Sequence, residues 1–304
     1  MNESVDVLVF GSAIIDFVCY APRLPNAGET LHGTKFQTGF GGKGANQCVA
    51  AARLGSKTAL IAKLGDDSFG HNYIRQLEVE KINVKYVQQL PGHTTGVAQI
   101  AVAQNGENNI IIVVGANNML GPQDVDNACE LFEKAKVLIC QLETPIDGTL
   151  EALRRFKGIS ILNAAPAMEN IPLELIQRCT ILCVNIVEAG CLVGEPIINI
   201  SDAFNTMARL IEMGANTVIV TLGKIGAVCS SKDAPYDCKL VSAPNVEEEL
   251  VKDTTGAGDA FIGALANSYA RFPDRQLVDH IAAAHVVAAQ SVQHHGTQSS
   301  FPYA

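Results

Sequence analysis

The chain opens with a short apolar, β-branched run, Val5-Asp6-Val7-Leu8-Val9-Phe10, that stops at Gly11. Such a run reads as a buried strand. Over 43–54, Cys48, Val49, Ala52 and Leu54 recur at helical spacing and Gly55 follows as a stop, which predicts a helix. A strand is predicted over 58–62, then a helix over 67–80 with Phe69, Tyr73, Ile74 and Leu77 on one face. Beyond Pro122 the two patterns alternate. Strands are predicted at 137–141, 159–163, 180–184 and 217–221, and helices at 123–135, 146–156, 172–178 and 202–213. A hairpin over 226–243 and helices over 257–271 and 275–293 close the chain. Regular strand–helix alternation predicts an α/β fold: a mostly parallel central sheet with helices on both faces.

Two segments, about 14–40 and 94–114, break that alternation. The first carries Pro22, Pro25, Gly28, Gly33 and Gly39, with short β-like pieces such as Thr34-Lys35-Phe36-Gln37-Thr38 between them. In the second, strands at 97–102 and 109–114 flank the turn signal Asn105-Gly106-Glu107-Asn108, a hairpin pattern. Together they predict a small antiparallel sheet with one wet face. Val97, Gln99 and Ala101, with Ile110, Ile112 and Val114, alternate along their strands and are expected to share a face. No repeat, low-complexity tract or long polar linker divides the chain. The expectation is one domain over 1–304 with a smaller sheet as its lid.

Composition narrows the function classes. The chain has 304 residues, 48% of them hydrophobic and 17% charged, and a net charge of −9. That excess of negative charge disfavours nucleic acid and anionic membrane surfaces as partners. A pocket can still reverse the sign locally for an anionic ligand. The nine cysteines have no framework spacing, and the CxxxC at Cys179 and Cys183 lacks a second pair for zinc. Most lie in apolar runs, so buried, reduced thiols are expected, which implies a reducing compartment. The start, Met1-Asn2-Glu3-Ser4-Val5-Asp6, is acidic and has no signal-peptide character. No apolar run approaches the ~18 residues of a membrane span. The expected location is cytoplasmic, with access to the nucleus open.

Four segments carry candidate chemistry. Asp253-Thr254-Thr255-Gly256-Ala257-Gly258-Asp259 runs into a predicted helix. Free N–H groups and the positive end of the helix dipole make an anion hole there. Asp259 in the first turn could take the proton of an attacking hydroxyl. A capped glycine-rich turn is the plainer alternative. Gly39-Phe40-Gly41-Gly42-Lys43-Gly44-Ala45-Asn46-Gln47 is a second loop running into a helix. Its glycines admit close approach, and Lys43 and Asn46 suit sugar hydroxyls; it is not a Walker A loop. Asn185 and Glu188 follow a strand three residues apart, where they could hold the waters of Mg²⁺ or simply cap a helix. Thr221-Leu222-Gly223-Lys224-Ile225-Gly226 could line a nucleotide or form a turn.

GGKGANQ at 41–47, DTTGAGD at 253–259 and the NxxE pair between them resemble the ribokinase-like (PfkB) carbohydrate kinases, over almost the whole chain. GGKGANQ and Gly296-Thr297-Gln298-Ser299-Ser300 are similar to the animal branch of that family. The resemblance implies a ribokinase-like three-layer fold with a β-lid. It implies ATP-dependent phosphorylation of D-ribose at the 5-hydroxyl, by in-line transfer with Asp259 as base. Gly256, Ala257 and Gly258 would form the anion hole, and Ile14, Asp16, Gly42, Lys43, Asn46 and Glu143 the sugar site. Glu143 also lies just past a predicted strand end. Asn185 and Glu188 would serve phosphate and Mg²⁺; Thr221, Gly223, Gly226, Gly258 and His285 would serve the nucleotide. The family's activating K⁺ would be held by Asp253, Thr255, Ser291, His294, Gly296 and Ser300, several through backbone carbonyls. Bacterial members carry Asn where this chain has Ile14, which cannot hydrogen-bond a sugar and is expected to pack on its edge. The resemblance further implies a homodimer joined through the lid. The alternatives are another sugar or nucleoside kinase of the family, such as a fructokinase or adenosine kinase, or a non-catalytic sugar–nucleotide sensor.

Overall fold

The computed structural model describes residues 4–304; Met1–Glu3, half of the acidic start considered above, lie outside it. The chain begins with β1 (Val5–Phe10) and β2 (Ile14–Ala21), then β3 (Lys35–Gly41), α1 (Lys43–Arg53) and β4 (Thr58–Gly65). Next come α2 (Ser68–Val79), β5 (Asn83–Leu90), β6 (Gly96–Ala103) and β7 (Asn108–Val113). Two short helices, α3 (Pro122–Asn127) and α4 (Cys129–Lys134), lead to β8 (Ala135–Cys140), α5 (Ile146–Arg155), β9 (Ile159–Asn163) and α6 (Leu173–Arg178). They are followed by β10 (Ile181–Asn185), α7 (Ile186–Val193), α8 (Ile200–Glu212), β11 (Thr217–Thr221), β12 (Gly226–Ser231) and β13 (Ala234–Ser242). The last elements are α9 (Ala257–Arg271) and α10 (Leu277–Ser291). No helix among the described residues is long and apolar enough to cross a membrane.

Nine strands form one sheet in the order β13-β12-β11-β10-β9-β8-β1-β4-β5. Pairing is parallel from β5 to β11, and β12 and β13 add antiparallel strands at one edge. Side chains alternate across β1, and the alternation separates two cores. Val7 and Val9 pack with α1, α2, α9 and α10 on one face. Leu8 and Phe10 pack with α3 to α8 on the other. A sheet apolar on both faces requires this double cover, which is why its strands read as continuous apolar runs.

The helix expected over 123–135 is broken at Ala128, whose backbone leaves helical geometry at φ −101° and ψ 17°. β5 escaped the sequence pattern because it is an edge strand. Asn83, Lys85, Gln88 and Gln89 give it the polar character that edges carry.

The second sheet has the order β3-β2-β6-β7. It is mixed, not antiparallel as expected: β2 and β6 run parallel. The reason is topological. β2 directly continues β1 and β6 continues β5, and those two run the same way in the core sheet. The expected shared face also fails. Register pairs Val97 with Val113 and Gln99 with Ile111, while Ile112 and Ile110 oppose Ala98 and Ile100. Val97 and Gln99 therefore lie on the opposite face from Ile110 and Ile112, because the turn sets the two strands one residue out of the assumed phase.

Candidate active site

The carboxyl ends of β1, β8, β10 and β11 open onto one side of the core sheet, where ligands bind in parallel α/β folds. Gly42, at φ 86°, turns β3 directly into α1, and a Cβ there would lie 2.7 Å from the Ile14 nitrogen. Only glycine fits so close an approach in that conformation. The turn brings Lys43, Asn46 and the first residues of β2 to the same place. α9 starts after Gly256, whose left-handed φ of 79° frees the N–H groups of the first turn. No atom lies within 4 Å of where a Gly258 Cβ would be, so the anion hole is open.

Asp259 is 8% exposed. Its Oδ2 accepts from Asn46 Nδ2 and its Oδ1 from Gln47 Nε2, both at 2.9 Å. Glu143 Oε2 accepts from Ser12 Oγ (2.6 Å) and the Lys43 backbone N–H (2.9 Å). Asp16 lies against Gly41 at the root of the second sheet. Burial, with the charges of Glu143 and Asp259 adding to it, pushes the Asp16 carboxyl up to about 7. Burial pulls the Lys43 ammonium down, but Asp259, Glu143 and Glu188 outweigh it and leave the group above its ordinary value. One ammonium thus serves three carboxylates.

Asn185 and Glu188 both cap α7. Asn185 Oδ1 accepts from the N–H groups of Val187 and Glu188, and Glu188 Oε2 accepts from the Asn185 N–H. This reciprocal box explains the pair locally. Both residues also line a pocket of about 220 Å³ with Lys43, Thr221, Gly256, Gly258 and Asp259. Burial raises the Glu188 carboxyl, against the opposing pull of the Asn185 N–H and Lys43. Asn185 therefore joins capping to a place in the pocket wall.

The other candidates divide. Ile14 is buried, at the start of β2. Gly223 is open, with no atom near its would-be Cβ, whereas a Cβ on Gly226 would meet the Val241 carbonyl at 2.1 Å. Backbone crowding in the hairpin accounts for Gly226. His285 is buried in α10 against Phe261, with ring centroids 5.0 Å apart and Nε2 unpartnered. It does not line the 220 Å³ pocket. A larger cavity of about 960 Å³ beside α7 is lined mainly by apolar residues such as Ile171, Leu173 and Val187, and neither Asp16 nor Glu143 lines it.

The proposed cation residues lie on two joined loops. The N–H groups of Lys252 and Asp253 donate to the Val292 carbonyl at 2.8 and 3.2 Å. Asp253 Oδ1 accepts from Thr255 N and Oδ2 from Gly296 N, each at 2.9 Å. Ser291 and Ser300 are buried, with hydroxyls bonded to Ala288 and Thr297 carbonyls. The His294 side chain is exposed. Among the described residues no group of three or more His, Cys, Asp or Glu could hold a metal. Carbonyls, hydroxyls and one carboxylate are a donor set that fits a large monovalent ion.

Four residues join the site with no local signal in the sequence: Ser12 bonds Glu143, Gln47 bonds Asp259, Gln141 bonds Gln47 and Gln298 bonds Asn46. Gln47 and Gln298 stood inside quoted motifs, but a glutamine in a glycine-rich signature gives no sign of what it faces.

The model of the pfkB family carbohydrate kinases matches residues 5–304. The chain is 42% identical to mouse ribokinase over 307 residues, covering 99% of this chain and 93% of that one. It is 39% identical to a deoxyribokinase of Salmonella typhi over 302 residues, covering 98% and 96%. Among solved structures it is similar to Arabidopsis thaliana ribokinase complexed with ribose and ATP. The TM-score there is 0.90 and the identity 29%, covering 99% of this chain and 96% of that one.

Proposed function

The chain belongs to the pfkB family of carbohydrate kinases, and on that premise we propose that it phosphorylates D-ribose at the 5-hydroxyl with ATP, giving ribose 5-phosphate and ADP. The observation that carries this reading is Asp259. It is a buried carboxylate at the mouth of an open helix N-terminus, held on both oxygens and faced by Lys43, Asn46, Glu143 and Asp16. The likeness to mouse ribokinase and to the Arabidopsis complex with ribose and ATP supports the same substrates.

Asp259 accepts the 5-hydroxyl proton as that oxygen attacks the γ-phosphorus. The N–H groups of Gly256, Ala257 and Gly258 receive the charge that develops on the phosphoryl oxygens. Asp16, Gly42, Lys43, Asn46 and Glu143 hold the sugar. Glu143 Oε2 is engaged by Ser12 and Lys43, which leaves Oε1 to accept from a hydroxyl. Ile14 packs on the sugar's edge. Thr221 and Gly223 line the nucleotide side, Gly226 shapes that loop and His285 backs the adenine side. Mg²⁺, when bound, neutralises phosphate charge in a site already rich in carboxylates; Asn185 and Glu188 would hold its waters. K⁺ would be held by Asp253, Thr255, Ser291, His294, Gly296 and Ser300 beside the anion hole, and it would add positive charge there.

The chain acts as one kinase domain whose second sheet covers the sugar and pairs two copies into a homodimer. Cytoplasmic location is supported by nine free thiols, five of them buried. A second sugar, 2-deoxyribose, is favoured by the 39% identity to a deoxyribokinase. Sugar-dependent ADP release with ribose, 2-deoxyribose, fructose and adenosine in parallel, in K⁺ and in Na⁺, tests the reading. Ribose in K⁺ should give the highest kcat/KM. Turnover with none of the four would overturn catalysis, and preference for another would reassign the substrate.

A further inference from the structure

Both oxygens of Asp259 accept from side-chain amides, and an ionised carboxylate can only accept. Asn46 and Gln47 must therefore present their NH₂ ends. An amide can turn end for end with almost no change of shape, so shape alone does not set that direction.

For Gln47 the direction is set by its neighbours. Its Nε2 donates to Asp259 and also to Asn163 Oδ1, at 2.9 and 3.0 Å. Asn163 is locked as the acceptor, because its own NH₂ donates to the Cys183 carbonyl at 3.2 Å. Gln47 Oε1 is left to accept, and Gln141 Nε2 donates to it at 2.7 Å. For Asn46 the arrangement is parallel. Its Oδ1 accepts from Gln298 Nε2 at 3.0 Å, and Gln298 donates its second hydrogen to the Tyr73 hydroxyl at 2.9 Å. Tyr73 donates its proton to the Gly41 carbonyl. Asn46, Gln47, Tyr73, Gln141 and Gln298 are buried and Asn163 is half-buried, and the Oε1 atoms of Gln141 and Gln298 have no partner. The two glutamines are engaged only through their donor ends.

We infer that Gln141 and Gln298 are positioning residues: their NH₂ groups fix the direction of Gln47 and Asn46, so that both deliver an N–H to the base. The inference rests on the reading of Asp259 as that base. It ties the base to distant parts of the chain. Gln298 lies between the cation candidates Gly296 and Ser300, and the Arg53 guanidinium, paired with Glu80, holds the Gln298 and Phe301 carbonyls. Through Tyr73 the same amide reaches Gly41, where β3 leaves the second sheet.

Gln141→Met keeps the volume and removes the donor. It leaves Gln47 Oε1 buried without a donor and should lower kcat about tenfold, through weakening of the Gln47 hydrogen bond to the charged Asp259. The KM values for ribose and ATP should stay within about threefold, since neither Gln141 nor Gln47 is placed against substrate. Gln298→Glu supplies a carboxylate that makes Asn46 turn its NH₂ away from the base, and should lower kcat at least as much. In an Asp259→Asn background neither change should reduce the residual turnover further, because no carboxylate remains to be served. Equal losses in both backgrounds, or unaltered kcat in the folded single variants, would overturn the relay. Should one variant fail to fold, the other arm decides. Wild-type turnover in Asp259→Asn alone would instead overturn the reading of the base.

Discussion

Two carboxylates in one small site are set to opposite tasks by their surroundings. Asp259 faces two amide donors, whereas Asp16 faces Gly41 and two like charges. Asp259→Asn keeps the shape and loses the proton acceptor. Its kcat should fall ~10²–10⁴-fold while ATP and ribose still bind, measured by steady-state turnover and calorimetric titration. Turnover within about threefold of wild type, well under 1 kcal/mol of barrier, would remove Asp259 as base. Asp16 has its carboxyl pushed up to about 7 by burial and by Glu143 and Asp259. If its ionised form accepts from sugar hydroxyls, kcat/KM for ribose rises with pH through about 7. The same shift costs stability. A carboxyl that titrates higher folded than unfolded has its full stabilising contribution below pH ~4, and loses it as pH rises toward 7. Asp16→Asn should therefore raise Tm at pH 8 but not at pH 4, while it weakens ribose use. A lower Tm at pH 8 would contradict the sign.

α1 and α9 carry the two halves of the site, and they touch where side chains are smallest. A Cβ on Gly263 would lie 2.5 Å from the Ala50 Cβ and 2.7 Å from the Gln47 carbonyl. Four residues earlier on α9 is Asp259, and the Asn46 and Gln47 amides reach it only because the helices meet this closely. Gly263→Ala adds a methyl group where the neighbour includes backbone, so the helices must separate. Overpacking of this kind costs about 1–3 kcal/mol. We expect a Tm lower by several degrees and a disproportionate loss of kcat, read by thermal melts and kinetics on the same preparation. A loss of stability with kcat intact would show that the crossing tolerates separation without disturbing the base.

The second sheet leaves β7 at its free edge, with Ile110, Ile111, Ile112 and Val113 between 47% and 66% exposed, and Phe36 exposed on β3 at the other edge. An uncovered apolar edge strand favours association. The proposed lid-to-lid homodimer predicts a light-scattering mass about twice 32.3 kDa at micromolar concentration. Ile110→Lys with Ile112→Lys should shift it to the single-chain mass. A wild-type mass near 32.3 kDa, with or without ribose, would refute the dimer and leave the covering role of the sheet to be judged separately.

Most of the order of strands and helices, though not the edge strand β5 or the break between α3 and α4, and the two glycine-rich turns into α1 and α9, were legible along the chain. Buried strands between covering helices must be apolar throughout, and the turns into helix N-termini need glycine locally. Lys43, Asn46, Glu143 and Asp259 could be nominated because each sits near the start of such a helix or just past a strand, whereas Asp16 was nominated by the family resemblance alone. Other features left no local mark. The parallel pairing of β2 with β6 follows from where β1 and β5 lie in another sheet. The phase of β7 against β6 depends on a turn that its strands do not encode. The clamp on Asp259 joins residues 213 and 212 positions apart, and Gln298 reaches Asn46 across 252. An amide is neutral, common and free to turn over, so its part in the site emerges only when folding sets a donor on one side of it and a carboxylate on the other.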